Sequence, residues 1–137
     1  MWTYVEDGRF GLLCSAVGWG ILGVIYTVNA PFMYGLYGIE LSNINALSMV
    51  RGVYGGCFLG IASLWTLGLL KARFREAALL TMFVCMLGFT IGRTASLVVD
   101  GTPTWHMYLL LGLEASGVPV SGYALFFSPK SPLKGPS

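Results

Sequence analysis

Charge is scarce in this sequence: eight Lys and Arg and six Asp and Glu amount to 10% of its 137 residues. A water-soluble domain carries about 25%, so this chain has too little polar surface to face water on all sides. Its net charge of +2 is too small to form the basic face that a nucleic acid needs. Histidine occurs once, as His106. There is no HExxH, no cysteine–histidine neighbourhood and no glycine loop with a phosphate-binding lysine, so no catalytic or metal-binding constellation is visible. The three cysteines, Cys14, Cys57 and Cys85, lie in separate apolar runs with no close pair. They read as small core residues rather than as a disulfide or a metal site. Residues 1–7 also hold no basic run, and Glu6 and Asp7 stand there instead. Pro31 follows the one candidate cleavage triplet, Val28-Asn29-Ala30, so the first apolar segment is expected to stay as a helix.

What the chain has in abundance is apolar length. A bilayer crossing takes about 20 residues, and four stretches qualify, at about residues 10–28, 42–70, 77–99 and 105–127. The expected fold is all-α: a single membrane domain, a four-helix bundle, with a flexible proline-containing tail over 128–137. Asn29-Ala30-Pro31 ends the first helix, and an aromatic loop with Tyr34 and Tyr37 follows at interface height. The second stretch exceeds a straight crossing, so it tilts or carries a polar first turn outside the core. Asp100-Gly101-Thr102-Pro103 predicts a tight reversal, with Thr102 as cap and Pro103 opening the last helix. Pro119 predicts a bend in that helix. Trp2, Trp65 and Trp105 read as interfacial anchors and Trp19 as core. Lys71, Arg73 and Arg75 crowd the middle loop, Arg9 precedes the first helix, and Lys130 and Lys134 follow the last. The two remaining loops carry Glu40 and Asp100, so basic-residue bias places both termini in the cytoplasm.

Small residues four apart mark close helix approach in lipid. Gly52, Gly56 and Gly60 form one such stripe, and Gly88 and Gly92 with Ser96 form another. Shorter versions are Gly112 with Ser116 and Ala16 with Gly20. Packing within the chain is the expected use, with an oligomer interface as the alternative.

Three ionisable residues interrupt the apolar runs: Arg51, Arg93 and Glu114. Counting from the outer helix ends at 1.5 Å per residue puts all three roughly 10–13 Å deep. An unpaired arginine at the bilayer centre costs at least ~2.5 kcal/mol, so pairing is expected, with Glu114 between the two arginines. Glu40 and Asp100 stand above this level. Tyr54 and Ser96 follow Arg51 and Arg93 by three residues, on the same helix faces, and His106 stands near the rim. One reading is a closed network that fixes helix register. The other is a site for an anionic headgroup, a carboxylate or a quinone-like carbonyl.

The segments Tyr37-Gly38-Ile39-Glu40, Arg51-Gly52-Val53-Tyr54-Gly55-Gly56, Gly92-Arg93-Thr94-Ala95-Ser96 and Asp100-Gly101-Thr102-Pro103 resemble, in the same order, a family of small bacterial four-helix membrane proteins. That family is classed as a domain of unknown function and is broadly similar to DoxX-like proteins. The resemblance covers about residues 10–127. It implies a bacterial inner-membrane protein with the polar positions above, and it supplies no activity.

The expected function follows from short loops, no soluble domain and many small-residue stripes: a non-enzymatic accessory or scaffold subunit in a larger membrane complex, surrounded by lipid. The alternative is a binder of a small lipid or quinone, which would then be the bound cofactor, at Arg51, Tyr54, Arg93 and Glu114. A third option is a proton-coupled carrier using Glu114, for which four helices leave little room without dimerisation.

Overall fold

A computed structural model describes residues 8–128, and every regular element among them is helical. Trp2, Glu6, Asp7, Lys130, Lys134 and the tail from 129 onward lie outside the described residues. Helix α1 spans Arg9–Val28, and α2 spans Ala30–Gly35. Then α3 (Ile44–Val50) continues through a π-helical turn, Arg51–Gly55, into α4 (Gly56–Leu70). A 3₁₀ turn, Ala72–Phe74, leads to α5 (Arg75–Val99), and α6 spans Trp105–Phe126. Four segments are long and apolar enough to cross a membrane: Arg9–Val28, Ile44–Leu70, Ala72–Val99 and Trp105–Phe126.

The boundaries have local causes. Asn29 accepts a hydrogen bond from the Phe32 amide, and Pro31 occupies the first turn of α2, where a missing N–H costs nothing. Asn43 caps α3 by accepting from the Ala46 amide at 2.8 Å. Gly38 and Gly101 take positive φ, +71° and +97°, which glycine adopts without penalty. At Gly38 this lets the Ile39 amide reach back to the Tyr34 carbonyl at 3.0 Å. The last helix begins two residues later than the expected cap: Thr104, not Thr102, is its N-cap, and Pro103 lies outside it. Helix α6 runs through Pro119 without interruption.

The chain forms two compact units. In the first, Leu12–Ala78, α1 packs against the π-turn and α4. A Cβ added at Gly23 would come within 2.9 Å of the Leu59 amide nitrogen. One at Gly55 would come within 3.0 Å of the Thr27 amide nitrogen and collide with its hydroxyl. Two backbones therefore touch at both levels, and Gly20 faces Ala62. Further along, Gly68 lies against Ala78. Tyr26, Ala30, Met33 and Val50 form a buried cluster with Leu41, Leu47 and Phe58 around it.

The other unit holds residues 8–11 and 79–128. Here Gly117 packs on Met86 and Gly122 on Phe83, so α5 and α6 approach closely. Phe83 meets Phe126 edge to face with centroids 5.7 Å apart. Ser121, fully buried, donates to the Gly117 carbonyl at 2.6 Å and leaves no orphan hydroxyl.

Two expectations need correcting. Trp65 is 0% exposed and edge-on to Trp19 at 5.3 Å, so it is core and not an interfacial anchor. Its spacing of seven from Phe58 puts both on the face of α4 that meets α1. Likewise, none of Gly52, Gly56, Gly60, Gly88 and Gly92 has a described atom within 4 Å of an added Cβ, so none makes a packing contact within its own unit. The glycines that bring helices together are others: Gly23, Gly55, Gly68, Gly117 and Gly122.

This contrast is testable. Gly55→Ala forces a Cβ into the Thr27 backbone and is expected to cost about 1–3 kcal/mol. Gly112→Ala, where an added Cβ has no described atom within 4 Å, is expected to be neutral or stabilising by up to ~1 kcal/mol through helix propensity. Thermal unfolding of both variants in detergent checks the difference in sign.

Candidate functional site

The described ion pair in the apolar interior joins α5 to α6. Arg93 Nε donates to Glu114 Oε2 at 2.6 Å, and Nη1 reaches the Met107 sulfur at 3.2 Å. Glu114 is buried, with a side chain 10% exposed, and Arg93 is half-buried at 32%. Arg93 lies six residues before the end of α5 and Glu114 nine after the start of α6. In antiparallel helices those counts bring both to one level, roughly 10 Å from the helix ends. Each charge thus has its partner at its own depth. Breaking one side of such a pair leaves the other charge in an apolar setting.

The other residues of the expected cluster are disposed differently. Ser96 donates to Asp100 Oδ2 at 2.7 Å, one turn along α5, and the two polar groups satisfy each other at the exposed end of the helix. His106 stacks on Trp105 with ring centroids 4.0 Å apart and approaches the Thr104 hydroxyl at 3.5 Å. Arg51 belongs to the other unit. It begins the π-turn, its side chain is exposed, and it forms no ion pair among the described residues. Glu40 is exposed in the loop between α2 and α3 and is likewise without an ion pair among the described residues.

Tyr54 enters an aromatic cluster that a search for charges misses. It stacks on Tyr26 with centroids 5.8 Å apart and meets Tyr34 and Phe58 edge to face, each at 6.2 Å. Phe58 continues the chain of rings to Trp19 at 4.5 Å. The signal was present in the sequence: Trp19 and Tyr26 are seven apart, as are Phe58 and Trp65, which puts each pair on one helical face. Burial pushes the Tyr34 phenol above its ordinary range, and the Tyr54 phenol beside it adds to the shift.

Helices of this length and apolarity mark an integral membrane protein, and the glycine and arginine segments lie within one family's pattern. The chain belongs to the DUF4345 family. DUF4345 is a domain of unknown function, and its model matches residues 8–125. All four apolar helices, the Arg93–Glu114 pair, the π-turn and the aromatic cluster fall inside that match, with only the last residue of α6 beyond it. No curated protein and no solved structure matches the chain. Membership in DUF4345 brings no reaction with it. Among the described residues, no group of three or more His, Cys, Asp or Glu is placed to hold a metal ion.

Glu114→Leu is expected to destabilise the protein by about 2–4 kcal/mol, because it strands the Arg93 guanidinium. The double variant Arg93→Leu/Glu114→Leu should recover most of that loss. Detergent unfolding of the two singles and the double measures the coupling.

Proposed function

We propose that this DUF4345 chain is a non-catalytic subunit that works by packing sideways in the membrane against a neighbouring chain, as an accessory or scaffold component of a larger assembly. In this reading the four helices form a bundle in a bacterial inner membrane, of broadly DoxX-like kind, with both termini cytoplasmic. The exposed Lys71 and Arg73 between the second and third crossings support that orientation.

The observation that carries the proposal is the open glycine face. Gly52, Gly56 and Gly60 recur every fourth residue along a membrane-length helix, and a Cβ at each would meet nothing within 4 Å. Gly88 and Gly92 repeat the arrangement on α5. Without a hydrophobic drive between helices in lipid, association depends on close backbone approach, and small residues provide it. Such a face is poor at filling space against lipid tails and suited to another helix.

A second reading has one observation in its favour: Arg51 and Tyr54 are both exposed on the π-turn, where the polar end of a lipid or quinone-like molecule would find a guanidinium and a phenol. Arg93 is a weaker ligand donor, since Glu114 already holds it. In this reading Arg51→Ala removes a co-purifying lipophile while the protein still folds.

The experiment that separates them is extraction from the native membrane in mild detergent, with mass spectrometry of bound protein and lipid. Lateral packing predicts a stoichiometric protein neighbour, and Gly56→Leu with Gly60→Leu should weaken its recovery by about tenfold or more, with helix content unchanged. A neighbour retained at wild-type level in that variant would remove the glycine face from the account.

A further inference from the structure

We infer that the neighbour on this face is a second copy of the chain, held by reciprocal pairing of Arg51 in one copy with Glu40 in the other. This rests on the lateral-packing reading and names its partner.

Two charges of opposite sign, Glu40 and Arg51, lie within one unit. Both are exposed, and neither has an ion-pair partner among the described residues. Their neighbours in sequence also meet at one cluster: Leu41, next to Glu40, packs against the buried group of Tyr26, Ala30, Met33 and Val50, and Val50 is next to Arg51. Arg51 stands seven residues inside its crossing, roughly 10 Å deep. A guanidinium there gains from reaching upward along its aliphatic stem, and gains more from a carboxylate at the end of that reach.

A two-fold interface is self-complementary: if residue i of one copy touches residue j of the other, then j touches i. One cation and one anion on the same face thus make two ion pairs per dimer, with no residue needed from another kind of protein. The open positions at Gly52 and Gly56 follow Arg51 along the helix and let a second backbone approach closely enough for the side chains to meet. A partner of another type would need its own carboxylate within reach of that guanidinium. This chain already carries one.

The test uses charge reversal in the full-length protein, with two differently tagged variants in one membrane. Glu40→Arg alone faces arginine with arginine across the interface, and Arg51→Glu alone faces glutamate with glutamate, so each should fail to dimerise. Co-expressed, the two should pull each other down, because both reciprocal contacts are then cation to anion. The neutral variants Glu40→Gln and Arg51→Gln, which add no new charge, should weaken dimerisation by about tenfold and leave helix content unchanged. Wild-type dimers together with unimpaired dimerisation of the Gln variants would overturn the pairing. A wild-type protein that is monomeric but carries a different protein would overturn the second copy and leave lateral packing standing. A monomer that carries only lipid would overturn both.

Discussion

A charge inside an apolar helix must be answered at its own depth, and the hydrogen bond from Arg93 to Glu114 is the answer that positions α5 against α6. Once Nε and Oε2 are 2.6 Å apart, the register of the two helices is set. Met86 then meets Gly117 and Phe83 meets Gly122 along the same seam. Apolar surface alone would not select that register, because lipid tails satisfy a leucine as well as another leucine does. The ion pair adds the preference that hydrophobicity cannot supply.

The first unit is joined by a different means. Gly23 and Gly55 bring the backbones of α1 and α4 into contact, and a ladder of rings from Tyr54 through Tyr26 and Phe58 to Trp19 and Trp65 fills the space that remains. The π-turn has a part in this. It inserts a wider turn where Gly55 must face Thr27, and such turns recur at functional positions in helices. Its other effect is to leave Arg51 at the protein's surface beside open glycines. The same five residues thus close one helix contact and expose the elements of another.

Much of this was legible in the sequence and some was not. The four crossings were readable because apolar length is a one-dimensional property, and Asn29, Pro31 and Gly101 act within a few residues of themselves. The meeting of Arg93 with Glu114 is in keeping with the residue counts along two antiparallel helices. Which glycines pack could not be counted in that way. Gly52, Gly55 and Gly56 lie within five residues, and which of them faces α1 depends on helix rotation, which the π-turn alters. Trp65 was misplaced for the same reason: its distance from the helix end suggested an interface, whereas its rotation puts it against Trp19. The Ser96–Asp100 bond is local and visible in retrospect, since the two are one turn apart. The aromatic ladder is marked in sequence only by seven-residue spacings, Trp19 to Tyr26 and Phe58 to Trp65, which fix a helix face but not the helix it meets.

The account as a whole depends on the face around the π-turn being covered by protein in the bilayer. Met49, 65% exposed and three residues before Gly52, offers a position close to the open glycines without filling them. A diazirine side chain placed there and illuminated in intact membranes reports directly what lies against that face. The account predicts a covalent adduct with a protein chain. An adduct with lipid alone would contradict it.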